Sequence, residues 1–181
     1  MGGVYMHKDV KEILYTKEQI TAKCEELGAI ISKDYEGKRP VLLGLLKGSV
    51  PFMAELCKYL TVDLTFDFMH VSSYVGALSG QLNIKKDMEQ DANGKDIIIV
   101  EDIIDTGNTL NIVKNLLLDR GANSIKIVAL LDKFECRKVD IEADYVGFKM
   151  PDAFAVGYGL DFDEKYRNLP YVGILKEECY K

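Results

Sequence analysis

Apolar residues recur along the chain at spacings that predict three helices. The segment Thr16-Lys17-Glu18-Gln19 has the form of a capping box, and the apolar positions after it predict a helix over 16–34. The turn at Gly48-Ser49, followed by Pro51, predicts another helix whose apolar positions between 52 and 60 share a buried face. A third stripe over 110–117 predicts a helix that ends at Arg120-Gly121.

Apolar runs of strand length lie between these helices. The runs 41–46, 97–100 and 125–131 are almost wholly apolar, which is typical of central parallel strands covered on both faces. In 62–68 apolar and polar residues alternate, which predicts a half-buried strand with Phe66 and Phe68 on its apolar face. Because strand, helix and strand follow one another within 97–131, we predict an α/β fold around a mainly parallel sheet flanked by helices. Shorter strands are expected at 145–148, 155–158 and 171–175.

Residues 74–94 interrupt this pattern. They are polar, contain several glycines and show no clear period. A connection of this length is unusual in a compact domain and often serves as a lid, so we predict a flexible lid loop here. The alternative is a mobile or partly β loop without a function.

The length and charge of the chain limit the classes of protein to which it can belong. With 181 residues, 48% of them hydrophobic, we expect a single domain over 1–181. The net charge of -6 and pI of about 5.0 argue against broad binding to nucleic acid or to anionic membranes. A polyanionic ligand would therefore need help, most simply from a divalent cation.

Cysteine usage indicates a reduced, cytoplasmic protein. The four cysteines are scattered and form no C-x-x-C pair, so neither a zinc site nor a disulfide scaffold is indicated. Residues 1–11 lack a continuous apolar segment, and no later run reaches the ~18 apolar residues of a membrane span. We therefore expect a soluble chain that is not exported.

The most informative chemistry lies between the run 97–100 and the following helix. Three carboxylates, Glu101, Asp102 and Asp105, precede a small polar loop, Thr106-Gly107-Asn108-Thr109. Open α/β sheets bind ligands at the carboxyl ends of their strands. Backbone N–H groups and hydroxyls at a helix N-terminus make a ready phosphate cradle.

The residue types distinguish this loop from other phosphate loops. A Walker A loop needs a lysine before its final Ser or Thr, and a dinucleotide fingerprint needs G-x-G-x-x-G; the segment has neither. Instead, Glu101 and Asp102 precede the loop, where they suit a ribose cis-diol or magnesium-bound water. The structural alternative is that these two acids end a strand and that Asp105 caps the helix.

The sequence Glu-Asp-Ile-Ile-Asp-Thr-Gly at 101–107 resembles the phosphoribosyl pyrophosphate signature of type I phosphoribosyltransferases, and in particular their hypoxanthine-guanine branch. The resemblance implies the type I fold, with a flexible lid loop and with a small C-terminal/N-terminal hood that binds the base and is built mainly from about 145–181. Further matches extend over most of the chain, at Leu46-Lys47-Gly48, Ser73-Tyr74, Leu131-Asp132-Lys133, Val146-Gly147-Phe148, Pro151-Asp152-Ala153-Phe154, Val156-Gly157-Tyr158, Leu160-Asp161 and Tyr166-Arg167.

The resemblance implies a role for each residue of the cradle and of the pyrophosphate loop. Glu101 and Asp102 would hold the ribose hydroxyls and magnesium-bound water, and Asp105 would be the general base at purine N7. The 5-phosphate would lie on Thr106, Gly107, Asn108 and Thr109. Pyrophosphate would be held by Lys47, Gly48 and Arg167.

The resemblance also implies the purine site. Lys133 would donate to the exocyclic O6, which favours a 6-oxopurine over adenine. Phe154 would stack on the base, and Ala155, where the family often has valine, would contact its edge through the backbone. Asp161 would lie at the purine and bind a second magnesium, while Ser73 and Tyr74 would belong to the lid.

The implied function is purine salvage, in which magnesium-dependent transfer from phosphoribosyl pyrophosphate to hypoxanthine or guanine gives IMP or GMP. The resemblance also suggests a homodimer or homotetramer. Three rivals stay open: a transferase for xanthine, adenine or a pyrimidine; a non-catalytic regulator that binds nucleic acid; and a domain for some other nucleotide.

Several of these residues also have ordinary structural interpretations. Lys47 would be a solvent-facing lysine, Phe154 a core residue, and Asp161 with Arg167 a surface ion pair. His7 and His70 lack supporting residues nearby in the sequence, and we expect structural roles for them.

Overall fold

The computed structural model describes residues 5–73 and 82–181. In these two ranges strands and helices alternate through most of the chain, and short 3-10 helices follow α2 and β6 and lie near the C-terminus. The elements are β1 (Val10–Tyr15), α1 (Lys17–Asp34), β2 (Val41–Leu45), α2 (Val50–Leu56), β3 (Thr65–Ser73), β4 (Leu82–Lys86), β5 (Asp96–Ile104), α3 (Asn108–Asp119), β6 (Ser124–Asp132), β7 (Tyr145–Lys149), β8 (Ala155–Val156) and β9 (Val172–Leu175).

The larger of two sheets has the strand order β4-β3-β2-β5-β6-β7. All neighbouring strands in it are parallel except β3 and β4, which confirms the predicted mainly parallel α/β fold. Val100 of β5 pairs with Gly44 of β2 and with Val128 of β6, so the carboxyl ends of these strands meet at one edge. The segments that follow the three strands therefore lie side by side, as a site at this edge requires.

The two faces of the large sheet are buried in separate cores. Ile98 and Val100 of β5 pack in the core that contains residues of α1 and α2, while Ile97 and Ile99 pack in the core that contains residues of α3. Each fully buried side chain of this kind contributes about 1.5–3 kcal/mol. Burial on both faces explains why these strands are apolar throughout, with no alternation.

The predicted helices are confirmed, including the start of α1. The Thr16 hydroxyl accepts a hydrogen bond from the Gln19 N–H at 3.3 Å, and the Gln19 side chain accepts one from the Thr16 N–H at 2.8 Å. This reciprocal capping box satisfies two backbone donors at the helix start. None of the helices in the described ranges is long and apolar enough to cross a lipid bilayer.

The side chains that β3 buries differ from those predicted. Phe66 is 52% exposed, whereas Asp67 is only 5% exposed, so the expected burial of the apolar positions was wrong at this point. The Asp67 carboxylate accepts backbone hydrogen bonds from Glu89 at 2.9 Å and from Gln90 at 2.8 Å. An acidic side chain is buried here because these donors satisfy it, which periodicity does not reveal.

Part of the predicted lid segment 74–94 has regular structure. Residues 82–86 form β4, antiparallel to β3, and Arg120 forms two hydrogen bonds of 2.7 Å to the Asp87 carboxylate. Ser73 ends β3 in the described backbone, while Tyr74 and the rest of 74–81 lie outside the described residues.

A smaller antiparallel sheet, ordered β1-β9-β8, takes strands from both ends of the chain, as expected for a C-terminal/N-terminal hood. The range 145–181 includes β7, which pairs with β6 in the large sheet. The strand β1, for which the sequence indicated no element, joins the small sheet instead. Only Val10 of its residues is fully buried, so β1 leaves little trace in the apolar pattern.

Candidate functional site

Glu101 and Asp102 lie on a strand, contrary to the expectation that they follow one. The pairing of β5 with β6 continues past the predicted end at Val100 to the pair Ile104 and Asp132. The polar residues stay in the ladder because the backbone hydrogen bonds of a parallel sheet do not depend on side-chain type. Both carboxylates therefore have backbone positions held by a neighbouring strand.

Gly48 allows the turn after β2 to approach Asp102 closely. A Cβ atom on Gly48 would lie 1.6 Å from Oδ2 of Asp102, and one on Gly159 would lie 1.9 Å from the Gly48 carbonyl oxygen. Side chains at these positions would overlap other atoms, so both need glycine. The turn begins after the peptide bond between Leu46 and Lys47, which is cis.

The Glu101-Asp102 pair is not neutralised by an ion pair in the described ranges. Burial, and then the neighbouring Asp102, raise the pKa of Glu101 well above its usual range. Burial raises the pKa of Asp102 to about 6, although the Ile103 N–H donates to its carboxylate at 2.8 Å and Arg167 opposes the rise. Within 5–73 and 82–181, no lysine or arginine forms an ion pair with either acid. A cation beside this pair would be favoured.

The predicted phosphate cradle forms a cavity of about 220 Å³ lined by residues 101–110. The helix α3 begins at Asn108, and Gly107 before it has a φ of +80°. A Cβ on Gly107 would also lie 2.5 Å from Cγ2 of Ile141, so glycine is required for backbone conformation and for space. The unpaired N–H groups of the first turn of α3 suit an anion.

A second cavity of about 250 Å³ adjoins the cradle. It lies where the ends of β5 and β6 face the turn before β8. Its lining residues are Asp102, Ile103, Asp105, Lys133, Ala153, Phe154, Ala155, Leu160 and Asp161.

Phe154 lines this cavity and is 37% exposed, which does not fit the alternative role in the core. Its ring stacks on Tyr180, with centroids 5.0 Å apart, and meets the edge of Phe162 at 5.4 Å. These contacts fix the ring plane at the rim of the cavity. The sequence did not indicate Tyr180, because an aromatic residue near the C-terminus has no distinctive spacing.

Each predicted cation of the site is paired with a carboxylate. The ammonium group of Lys133 lies 2.9 Å from Asp152, and that of Lys47 lies 3.0 Å from Glu164. Lys133 lowers the pKa of Asp152, and Lys47 lowers the pKa of Glu164. The guanidinium of Arg167 lies 2.8 Å from the Asp161 carboxylate. Asp152 lies in a segment that carries the resemblance, and Glu164 lies between two such segments, but sequence reasoning gave neither a role.

The predicted metal ligands do not form a complete set by themselves. In the part of the chain that the structure describes, no group of three or more His, Cys, Asp or Glu side chains is arranged to hold a metal ion. Asp102 and Asp161 line the same cavity, and Glu101 is beside Asp102. Mg²⁺ is usually bound by one or two carboxylates together with substrate phosphates and water, which this arrangement fits.

The structure brings together most of the residues predicted for the site. The exceptions are Ser73, of which only the backbone is described, and Tyr74, which lies outside the described residues. A larger cavity of about 960 Å³ lies elsewhere, between α1 and residues 36–39 and 59–63, and contains none of the predicted residues. Chemistry, rather than cavity size, therefore locates the candidate site. The predicted residues that line its two cavities are Glu101, Asp102, Asp105, Thr106, Gly107, Asn108, Thr109, Lys133, Phe154, Ala155 and Asp161. Gly48 adjoins Asp102, Arg167 pairs with Asp161, and Lys47 is linked to Arg167 through Glu164.

Comparison with known proteins gives one consistent family. Residues 10–163 match the family described as "Phosphoribosyl transferase domain". The chain is 53% identical over 177 residues to the hypoxanthine-guanine phosphoribosyltransferase of Streptococcus pneumoniae, covering 97% of this chain and 98% of the relative. It is 54% identical to the protein of that name from Lactococcus lactis, with 97% and 96% covered. A crystal structure of a hypoxanthine phosphoribosyltransferase from Staphylococcus aureus has a TM-score of 0.95 and 52% identity, covering 100% of this chain and 99% of that one.

Proposed function

This chain belongs to the phosphoribosyl transferase family, among the hypoxanthine-guanine phosphoribosyltransferases, and from that premise we propose how its site carries out the transfer. The reaction joins hypoxanthine or guanine to the ribose 5-phosphate of phosphoribosyl pyrophosphate and releases pyrophosphate, so that the products are IMP or GMP.

One observation carries the proposal. Asp102, Ile103 and Asp105 line both the phosphate cradle and the adjoining cavity. A nucleotide has its phosphate at one end and its base at the other, with the sugar between them. The shared residues lie where that sugar would be, and the two cavities then hold the two ends of one product.

The 5-phosphate lies in the cradle, where Thr106, Gly107, Asn108 and Thr109 provide N–H groups and hydroxyls. Glu101 and Asp102 accept hydrogen bonds from the ribose hydroxyls. The protein groups that make these contacts, both donors and acceptors, are backbone groups or short side chains whose positions β5 and α3 fix, so little entropy is lost when substrate binds. The sugar is thereby oriented with C1 toward the second cavity.

The base lies in the second cavity, with Phe154 against one face and the Ala155 backbone at its edge. Purine N9 attacks C1 of the ribose while the bond from C1 to the pyrophosphate oxygen breaks, and its electron pair leaves with pyrophosphate. Asp105 accepts the proton that the purine gives up from N7. Asp105 lines both cavities, which supports this role.

Lys133 selects the base. Its ammonium group lies at the second cavity and donates to O6 of hypoxanthine or guanine after its contact with Asp152 loosens. The 6-amino group of adenine would leave this cation without an acceptor, which disfavours adenine. Lys133→Ala is expected to weaken discrimination against adenine, and unchanged discrimination would refute the role of Lys133.

Pyrophosphate is held by Lys47, the backbone N–H of Gly48 and Arg167. We propose Mg²⁺ as the divalent metal, held by the substrate together with Glu101, Asp102 and Asp161. The raised pKa values of Glu101 and Asp102 and their lack of an ion pair in the described ranges support this assignment. When bound, the metal neutralises negative charge on the departing pyrophosphate.

The remaining expectations are also part of the proposal. Ser73 and Tyr74 belong to a lid that excludes water from the sugar during transfer. The protein acts as a single domain in the cytoplasm, as a homodimer or homotetramer, without a nucleic acid or membrane partner. Equal ratios of transfer to hydrolysis in the wild type and in Tyr74→Ala would refute the lid role.

The test of the reaction is direct. The protein is incubated with phosphoribosyl pyrophosphate, Mg²⁺ and, in separate reactions, hypoxanthine, guanine, xanthine or adenine, and the nucleotide formed is measured by chromatography. We expect IMP and GMP, little product from adenine, and loss of activity when the metal is chelated. Absence of product with every 6-oxopurine would overturn the proposed function.

A further inference from the structure

Arg137 lies behind the phosphate cradle, in the segment that follows β6. One guanidinium nitrogen donates to the Asp105 carbonyl oxygen at 2.5 Å, and the other forms an ion pair with the Asp132 carboxylate. The side chains of Arg137 and Asp132 are only 15% and 12% exposed. A largely buried guanidinium thus joins the backbone of the proposed general base to the end of a central strand.

The rest of this segment holds the next two residues of the cradle. The N–H of Lys138 donates to the Thr106 carbonyl oxygen at 3.0 Å. Gly107 packs so closely that a Cβ on it would lie 2.5 Å from Ile141 and 3.1 Å from Cδ of Arg137. We call residues 137–141 the strap, because its members contact Asp105, Thr106 and Gly107 from outside the site.

The strap also reaches the base cavity through Asp132. The Asp132 carbonyl oxygen accepts a hydrogen bond from the Met150 N–H at 3.0 Å, and the Lys133 N–H donates to the Ile104 carbonyl oxygen at 3.0 Å. The residue pair Asp132 and Arg137 therefore connects the strand end that carries Lys133 with the turn that carries Asp105. Arg137 touches neither cavity, so it can act only through these neighbours.

A geometric role fits these contacts better than a role in stability alone. A buried ion pair often adds little net stability, because desolvation offsets the attraction. Displacement of a catalytic group by 1 Å, in contrast, can cost about 10²-fold in rate. The Asp105 side chain is exposed on a turn, where the direction of its carboxylate depends on the orientation of its own peptide group.

We propose that Arg137 is a positioning residue: paired with Asp132, it fixes the Asp105 peptide so that the carboxylate points to the base while the following N–H groups face the phosphate. The inference rests on the proposed function for its effect on rate. Its effect on backbone order at the cradle can be measured without any turnover.

The variants Arg137→Met, Arg137→Lys and Asp132→Asn test this role. Arg120→Met is the matched control, because it breaks another two-point contact between arginine and aspartate, to Asp87, that does not touch either cavity. The first readout, in the protein without substrate, is amide hydrogen exchange at Lys133, Lys138 and Asn111, whose N–H groups donate to the carbonyl oxygens of Ile104, Thr106 and Gly107. We expect exchange there to accelerate at least tenfold in Arg137→Met and to stay at the wild-type rate in Arg120→Met.

The second readout is kinetic. We expect kcat to fall about 10- to 100-fold in Arg137→Met with less than a threefold change in KM for hypoxanthine, because positioning is lost while the base cavity persists. Arg137→Lys keeps the charge without the two-point contact and should recover only part of kcat. Adding Asp132→Asn to Arg137→Met should lower kcat much less than Asp132→Asn lowers it in the wild type, since both residues act through one contact.

The outcomes separate the two claims. Unchanged exchange at Lys133, Lys138 and Asn111 in a folded Arg137→Met variant overturns the strap inference, whatever the activity. A fall in kcat of the same size in Arg120→Met would also overturn it, because general destabilisation would then explain the loss. If the wild type forms no nucleotide, the proposed function fails, while the exchange measurement still decides whether Arg137 orders the cradle.

Discussion

The two sides of the site hold negative charge by different means. On the cradle side, residues 101–109 are contiguous, and a strand end and a helix start present backbone N–H groups that need no counter-ion. On the other side, the cations Lys47, Lys133 and Arg167 come from three separate segments, and each is paired with a carboxylate. In the proposed mechanism, substrate fills the cradle directly, but on the cation side it must exchange existing ion pairs.

The pKa values of the acids on the two sides are also shifted in opposite directions. Burial raises the pKa of Glu101 and of Asp102, whereas neighbouring cations lower the pKa of Asp152 and of Glu164. The first pair forms no ion pair in the described ranges, which supports the divalent metal proposed there. The second pair is already neutralised by Lys133 and Lys47.

The largest effect is expected for Asp105, the proposed general base, which lines both cavities. Asp105→Asn keeps the shape of the side chain but removes the proton acceptor, so the transfer rate should fall by about 10²–10⁴-fold. Single-turnover kinetics would measure this step, and calorimetry should find phosphoribosyl pyrophosphate binding nearly unchanged. Asp119→Asn, which changes an exposed acid at the far end of α3, is the control. Loss of binding as large as the loss of rate would contradict the division of roles.

A substitution that alters the backbone of the cradle, Gly107→Ala, should have the next largest effect. Gly107→Ala places a Cβ at a φ of +80° and 2.5 Å from Ile141, so we expect a loss of about 2–4 kcal/mol in the free energy of unfolding. Phosphate binding should weaken as well, because the N–H groups of the loop move. Denaturant unfolding and titration with inorganic phosphate provide the measurements.

Gly37→Ala is the matched control for this change. Gly37 has a similar φ of +74°, but a Cβ there would meet nothing within 4 Å. Its variant should show only the conformational cost, of about 1 kcal/mol. Equal losses in the two variants would mean that close packing against the strap segment does not matter.

The opposite pKa shifts predict opposite effects of pH on stability. The pKa of Asp102 is raised to about 6, so its favourable contribution to folding is present at low pH and disappears as pH rises through 6. In protein without metal, Asp102→Asn should be more stable than the wild type by about 1–3 kcal/mol at pH 7.5, and this difference should vanish near pH 4.

Asp87→Asn is the control with the opposite sign. Arg120 lowers the pKa of Asp87, so that carboxylate stabilises the fold at neutral pH, and its contribution disappears as pH falls below about 4. Denaturant unfolding of both variants at pH 3, 4, 6 and 7.5 would measure the two trends. If Asp102→Asn were less stable than the wild type at pH 7.5, the negative charge on the cradle side would not be unbalanced, and the interpretation would be wrong.

The smallest effect is expected on the cation side, where the contacts are exposed. Glu164→Gln removes the carboxylate that contacts Lys47 at 3.0 Å, and KM for phosphoribosyl pyrophosphate should fall by no more than about fivefold. Asp163→Asn, which alters a neighbouring acid in contact with Lys165, serves as the control. A rise in KM would indicate that Glu164 assists binding instead of competing with it.

How far the site could be predicted differs between its two sides. The cradle is one continuous motif, and its residue types, a predicted strand before it and a predicted helix after it were sufficient to locate it. The cation side required the family resemblance, because Lys47 and Lys133 are 86 positions apart and nothing in their local sequence distinguishes them from surface lysines. Their carboxylate partners Asp152 and Glu164, and the strap residue Arg137, were missed for the same reason.

Local sequence determined the elements of this protein, because periodicity, capping residues and glycines act over a few neighbouring positions. It predicted the three helices, the central strands and the phosphate loop. Only the tertiary structure decided where β5 ends, that Asp67 is buried while Phe66 is exposed, and which carboxylate faces each cation. Those features depend on hydrogen bonds and charges between residues far apart in the chain, and the energies of such contacts exist only once the chain has folded.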